Sequence, residues 1–435
     1  MLNREKIYII TLGCAKNLVD SEIISGGLAE NHIELTENPE QATKIIINTC
    51  GFIESAREES IDTILEAAQL KHNGILRELI VIGCMSERYS AEMQNELPEV
   101  DHFFGANRMK ELLQYLTGKN YLAYDPALWR KIMTPRHYAF LKIAEGCDNV
   151  CSFCSIPLMR GKQISRSIES LMKETELLAK RGVKELIVIA QDTTSYGWDL
   201  TPRSSLTELL KELESIDGIE WIRLHYAHPS HLGPELIPFL ANSKKVLPYL
   251  DIPIQHINSQ LLKEMKRGLD GAAIQKLLEQ LRKKIPNIAI RSSLIVGYPG
   301  ETKTMFQELL DFVKEFRFDR LGVFTYSEEE GTAAAEKNDS ISQKEKERRM
   351  AAIMNAQQQI SLENNQALVG TSQKVLIDYY DAENNESYGR TYRDSPDIDN
   401  AVIVAGKLEP GQFFDVEITD TLEYDLFGEI LSKLR

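Results

Sequence analysis

HYAFLKIAEGCDNVCSFC, residues 137–154, joins a strand-like apolar run to three of the chain's six cysteines. The run HYAFLKIAEG reads as a β-strand, and the loop after it carries Cys147, Cys151 and Cys154 in the pattern C-x3-C-x2-C. Five further strand candidates follow: KELIVIAQD, EWIRLHYA, PYLDIPIQH, NIAIRSSLIVG and DRLGVFTYS. Helical segments such as SIESLMKETELLAKRG and AAIQKLLEQLRKKI separate them. Six strand–helix units predict a partial (β/α)6 barrel rather than a full barrel of eight, with its site at the C-terminal ends of the strands. The three cysteines fall at that face.

Thiolates are soft ligands that suit zinc or iron–sulfur clusters. Structural zinc takes a closed set of four ligands, and no fourth cysteine lies near this loop. His137 would have to reach across the first barrel strand to complete one. A cubane 4Fe–4S cluster held by three cysteines leaves one iron open, and an open metal position is where a small molecule binds.

Upstream, KIYIITLGC, ATKIIINTC and RELIVIGC are short β-branched runs, each ending in a cysteine: Cys14, Cys50 and Cys84. Helical stretches such as LVDSEIISGGLAEN and ESAREESIDTILEAAQLKH lie between them, which predicts a parallel sheet with helices on its faces. All three cysteines then sit at the carboxyl ends of strands, the edge where open α/β sheets bind ligands. The stretch YLAYDPALWRKIMTPRHY reads as a linker, having two prolines and no period. The charged segment SQKEKERRMAAIMNAQQQISLENNQALVG reads as a solvated connecting helix. Beyond it, KVLIDYYD, AVIVAG, FFDVEITDTLEYD and LFGEIL predict a small five-stranded β-barrel. The expected architecture is α/β: an N-terminal parallel-sheet domain over 1–121, the barrel over 133–364 and the β-barrel over 367–435.

The 435 residues, 43% hydrophobic and 26% charged, are those of a multidomain globular protein. No apolar run approaches the roughly 20 residues needed to cross a bilayer. The N-terminal apolar run is too short for a signal peptide, so a cytoplasmic protein with no membrane role is expected. In that compartment six cysteines read as metal ligands or reactive thiols rather than disulfides. The net charge of −15 argues against a general nucleic-acid binder.

CDNVCSFC, after the first strand of a βα barrel, resembles the cluster loop of the radical S-adenosylmethionine (radical SAM) enzymes. That resemblance implies that SAM chelates the open iron and that its reductive cleavage yields a 5′-deoxyadenosyl radical, which abstracts hydrogen from a C–H bond. Together with TLGCAKN, NTCGF, IGCMS and the small C-terminal β-domain, the whole chain resembles the methylthiotransferases. The resemblance implies two 4Fe–4S clusters, one on Cys14, Cys50 and Cys84 and one on Cys147, Cys151 and Cys154. One SAM would donate the methyl group, a second the radical, and an electron donor such as flavodoxin would supply the electron.

Two branches of that family compete. One modifies tRNA adenosine near the anticodon; the other modifies an aspartate β-carbon of small-subunit ribosomal protein twelve. LGCAKNLVDSE, NTCGFIESAREES, AEGCDNVCSFCSIPLMRGKQISR, AQDTTSYG and YLDIPIQH are similar to the ribosomal-protein branch. The C-terminal domain resembles a TRAM domain, an RNA-binding module, yet residues 367–435 hold fourteen Asp/Glu against six Lys/Arg. Phosphate contacts dominate RNA affinity, so an acidic module disfavours direct tRNA binding and favours a basic protein partner. Other expected site residues lie at the same barrel face: Gln191, Asp192, Arg291 and Gly297 (in GYPGE) for cofactor, His256 and Arg160 for substrate. HYAHPSH, with His225, His228 and His231, reads as a polar loop rather than a metal site. With no coiled coil or large apolar patch, a monomer is expected.

Overall fold

A computed structural model describes residues 5–120 and 125–434. Strands β1 (Lys6–Thr11), β2 (Glu34–Leu35), β3 (Lys44–Thr49), β4 (Glu78–Gly83) and β5 (His102–Gly105) form a parallel sheet in the order β2-β1-β3-β4-β5. The expected strands are β1, β3 and β4; the short edge strands β2 and β5 carry too few residues to show a pattern. Helices α1 (Ala15–Glu30), α2 (Glu54–His72), α3 (Cys84–Glu96) and α4 (Met109–Thr117) cover both faces. Ile46 and Ile80 pack with Ile24, Leu28, Leu112 and Leu113 of α1 and α4. Ile45, Ile47 and Val81 pack with Ile64, Ala67 and Met93 of α2 and α3. Central strands covered on two faces read as continuous apolar runs, which is why IIIN and LIVI are legible.

The second unit is a six-stranded parallel sheet: β6 (Tyr138–Lys142), then, after a two-stranded ribbon of β7 (Ala144–Glu145) and β8 (Ile164–Ser165), β9 (Glu185–Ile189), β10 (Trp221–Leu224), β11 (Val246–Asp251), β12 (Ala289–Val296) and β13 (Arg320–Thr325). Its order follows the chain from β6 to β13. The edge strands β6 and β13 do not pair, so the barrel is open on one side. The ribbon of β7 and β8 frames the cysteine loop and the short helix α5 (Ile156–Arg160). The third unit, β14 (Ser372–Asp381), β15 (Glu386–Arg390), β16 (Val402–Ala405), β17 (Phe413–Thr421) and β18 (Leu426–Lys433), is a closed five-stranded barrel.

Two expectations change. Residues 121–124 of the expected linker lie outside the described residues, but the rest is riveted. Arg130 is 1% exposed, ion-paired to Glu22 and Glu174, and donates to the Phe140 carbonyl at 2.7 Å. One buried cation, invisible to periodicity, fastens α1 to the barrel. The charged helix, Gln343–Gln366, is not solvated all round. Lys346, Arg349, Ile353, Gln357 and Ile360 recur at helical spacing and are buried. Ile353 and Ile360 join the barrel core, and Arg349 pairs with buried Glu301 at 2.8 Å.

The C-terminal barrel meets the six-stranded sheet through strand residues such as Leu376 and Phe413, which pack on Trp221 and Tyr249, and through one loop. Within residues 391–400, Asp394 pairs with Arg320 and Asp399 with Arg291, while the Tyr392 carbonyl accepts from Arg223. Asp397 accepts from Tyr138, and Ser395 meets His225 Nε2 at 2.9 Å. Tyr138 and Arg320 open their strands, so this loop closes the N-terminal end of the sheet, opposite the cysteines.

Candidate functional site

The register of the N-terminal sheet brings its strand ends level: Thr11 lies opposite Asn48, and Thr49 opposite Gly83. Cys14 caps α1, Cys50 follows β3, and Cys84 opens α3, so the three share one edge. Two glycines permit the approach. Gly13 has φ +85°, and a Cβ there would lie 2.6 Å from Cys50 Cβ. Gly83 has φ +116°, and a Cβ would lie 2.5 Å from the Thr49 carbonyl oxygen. Asn17, fully buried, donates from Nδ2 to Leu12 O at 2.9 Å and Thr49 O at 3.0 Å, tying the two loops together. Burial pushes the Cys50 thiol up and the Cys84 thiol up to about 11, the latter against the opposing charge of Arg160.

In the barrel, Ser152 N–H donates to Met265 O and Ser152 O accepts from Ala334 N–H, which anchors the cysteine loop at both sides. Asn149 donates to Cys147 Sγ at 3.3 Å and Arg267 to Cys151 Sγ at 3.2 Å. Burial raises the Cys147 thiol and pushes Cys154 up to about 12. All six cysteines are free. Thiols so held lose their protons on binding a strongly cationic centre, and two sets of three soft donors fit two iron–sulfur clusters. In a cubane each thiolate takes its own iron, so the sulfurs need not converge on one ion.

Arg160 joins the two sites. Its helix begins two residues after Cys154, yet its Nε donates to Cys84 Sγ at 3.1 Å. Nη1 reaches Asp20 at 2.7 Å and Glu145 at 3.1 Å, and Nη2 reaches Asn17. It is 2% exposed, committed to the seam, and unavailable to a substrate as it stands. Lys16 lies over the Tyr226 ring at 3.3 Å, and Glu329 pairs with Arg57 and Arg88, so further contacts fasten the seam.

The other expected residues divide. Gln191 donates to Glu145 at 2.6 Å and leaves its buried Oε1 without a partner, open to a donor. Asp192 is saturated by Thr194, Asn149 and His231. These bonds hold its carboxyl well below the usual range although burial opposes them. Gly297 N–H donates to Glu301 at the C-terminal end of β12. Two placements correct the sequence expectation. Arg291 lies near the start of β12, paired with Asp251 at 3.1 Å and Asp399 at 3.3 Å, so it serves the barrel floor rather than a cofactor. His256 is fully buried, with Nδ1 accepting from Asn258 N–H at 2.9 Å and Nε2 3.3 Å from Glu301, so it holds the GYPGE turn rather than a substrate.

Among the described residues, only Asp192, His228 and His231 bring three ligand atoms within 4.8 Å. His228 Nδ1 accepts from Ser230 N–H, which leaves the ring proton on Nε2, and burial lowers its pKa to about 3. A protonated Nε2 is a donor, not a metal ligand. Sequence reading missed Asn17, Asp20, Glu145, Asn149 and Arg267. Asn17 and Asn149 were visible beside their cysteines in CAKN and CDNVC; Arg267 comes from a loop with no local signal.

Residues 6–105 match the model of the uncharacterized protein family UPF0004, residues 141–313 the radical SAM superfamily, and residues 369–431 the TRAM domain. The chain is 44% identical to the ribosomal protein uS12 methylthiotransferase RimO of Chloroherpeton thalassium, over 98% of this chain and 99% of that protein. It is 47% identical to the protein of the same name from Bacteroides thetaiotaomicron, over 99% and 100%. The radical SAM methyltransferase TsrM from Kitasatospora setae shares the fold at TM-score 0.55 and 14% identity, over 74% of this chain and 72% of that one.

Proposed function

The chain belongs to the ribosomal protein uS12 methylthiotransferase RimO family of radical SAM enzymes, and on that premise we propose that it adds a methylthio group to the β-carbon of an aspartate in ribosomal protein uS12. The observation that carries this reading is Arg160, whose helix follows the barrel's cysteine loop yet which donates to Cys84 Sγ of the N-terminal triad at 3.1 Å. Cys14, Cys50 and Cys84 would hold one 4Fe–4S cluster, and Cys147, Cys151 and Cys154 the other. When bound, these clusters and SAM supply the sulfur, the methyl group and the radical that opens the C–H bond. The chain's own part would be to hold the two triads near one another, so that donor and acceptor carbon meet without diffusing.

Gln191, with its open Oε1, and the end of β12 at Gly297 are the groups best placed to meet SAM. Asn149 and Asp192 hold the cluster loop in place. We read the chain as three domains, 1–121, 133–364 and 367–435, acting as a cytoplasmic monomer that draws its electron from a flavodoxin-like protein. No described helix is long and apolar enough to cross a membrane. Exposed acids of the last domain, among them Glu417, Asp420 and Glu429, favour a basic protein over tRNA. Glu417 and Glu429 are cross-strand neighbours, a like-charge pair that a basic partner would relieve.

Mass spectrometry tests the reading. Reconstituted anaerobically with SAM, sulfide and a reductant, the protein is expected to add a methylthio group to a uS12 loop peptide and to leave tRNA unchanged. A modified adenosine with an untouched peptide would reverse the substrate assignment.

A further inference from the structure

We propose that Arg160 is a positioning residue that sets the reduction potential of the N-terminal cluster, an inference that rests on the reading of Cys14, Cys50 and Cys84 as that cluster's ligands. Reduction adds one electron, and one negative charge, to a cluster among largely buried ligands. Hydrogen bonds to the sulfurs and nearby charge are the protein's levers on that step. Arg160 supplies both. Its Nε lies 3.1 Å from Cys84 Sγ, while Asp20 and Glu145 accept from Nη1 and Asn17 from Nη2, which fixes its orientation.

The local charges balance: Arg160 and Lys142 face Asp20 and Glu145 within one network. Removing the guanidinium leaves that network with two carboxylates against one ammonium. The N–H···S bond is lost and the surroundings gain negative charge, so both changes disfavour the reduced cluster. The barrel triad has its own donor, since Arg267 reaches Cys151 Sγ at 3.2 Å. Each triad thus has one guanidinium, and the two act on different sulfurs. Arg160 differs in coming from the other domain: the helix that carries it follows the barrel's cysteine loop. Removing its bond to Cys84 therefore loosens the seam as well as the sulfur.

The test uses the full chain with Cys147, Cys151 and Cys154 replaced by alanine, reconstituted with iron and sulfide, so that one cluster is observed. Mediated redox titration followed by electron paramagnetic resonance gives its midpoint potential, and iron analysis gives its loading. Arg160→Gln is expected to lower the reduction constant tenfold or more, about 59 mV for one electron. Arg160→Lys, which keeps the charge but loses the planar fork, is expected to fall between, and Arg267→Gln to leave this potential unmoved. A loaded Arg160→Gln protein at the parent potential would overturn the proposal, as would an equal shift in Arg267→Gln. Should Arg160→Gln take up no iron, Arg160→Lys decides: a lowered potential supports the proposal and the parent value overturns it. Failure of both to load would make Arg160 an assembly residue and also overturn it. A parent without iron would defeat the cluster reading itself, a result distinct from a loaded parent whose potential ignores Arg160.

Discussion

A methyl group added at Gly13 has nowhere to go: Cys50 Cβ stands 2.6 Å from its position, and φ is +85°. Gly13→Ala should therefore cost about 1–3 kcal/mol and displace Cys50. The expected outcome is loss of iron from the N-terminal triad alone, measured as iron per chain falling by about half while the barrel cluster's spectrum persists. The two triads should also separate by function. Cys147→Ala is expected to abolish 5′-deoxyadenosine formation. Cys50→Ala should retain deoxyadenosine formation and lose methylthio transfer, both read by chromatography and mass spectrometry. At this scale the two cysteine sets were legible because cysteines at strand ends follow from local pattern alone. Arg267 was not, because its target sulfur, Cys151, is distant in sequence and only packing brings them to 3.2 Å.

Among the elements, the helix Gln343–Gln366 shows how charge can hide a buried face. Its inward positions include Lys346, Arg349 and Gln357, so the apolar period is broken although the helix packs on the barrel. Each of these three side chains makes a specific bond: Lys346 donates to Tyr326 O at 3.1 Å, Gln357 to Phe318 O at 2.9 Å, and Arg349 to Glu301. Arg349→Met would remove the buried cation from Glu301, which also holds Gly297 N–H and His256. An uncompensated buried carboxylate costs about 3–5 kcal/mol. A melting temperature lowered by several degrees, with SAM binding weakened through the GYPGE turn, is the expected result in calorimetry and equilibrium dialysis.

Across the whole molecule, the last domain is joined to the barrel by buried ion pairs. Arg390 pairs with Glu185 and Asp378, both at 2.7 Å, and His137 meets Asp378 at 2.8 Å. Burial opposes ionisation of both carboxyls, but Arg390, together with Arg223 for Glu185 and His137 for Asp378, holds them below their ordinary values. A carboxyl whose pKa is depressed on folding stabilises the native state above its unfolded value and loses that contribution as pH falls through the folded one. The melting temperature should stay level down to about pH 5 and then fall as acid passes the ordinary carboxylate range near 4. Arg390→Met should lower stability by about 3 kcal/mol at neutral pH and flatten that acid slope, measured by thermal denaturation against pH. Acids such as Asp378, Asp394 and Asp399 thus serve the interface rather than a partner, which net charge could not reveal.

Legible along the chain are the features that depend on neighbours in sequence. These are the strand runs, the cysteines at their ends, the order of the βα units and the small closing barrel. A buried strand must be apolar, and a soft ligand must be sulfur, wherever the chain goes. Which charged side chains are buried, and against what, is settled by long-range packing alone. Arg130, Arg349 and Arg390 look like surface residues in sequence and Arg160 like a substrate contact, because a long cationic side chain carries no local sign of its fate. A buried charge needs a partner, and here each partner comes from a distant segment: Asp20 with Arg160, Glu22 with Arg130, Glu301 with Arg349, Glu185 with Arg390. The first two of these pairs fasten the N-terminal domain to the barrel.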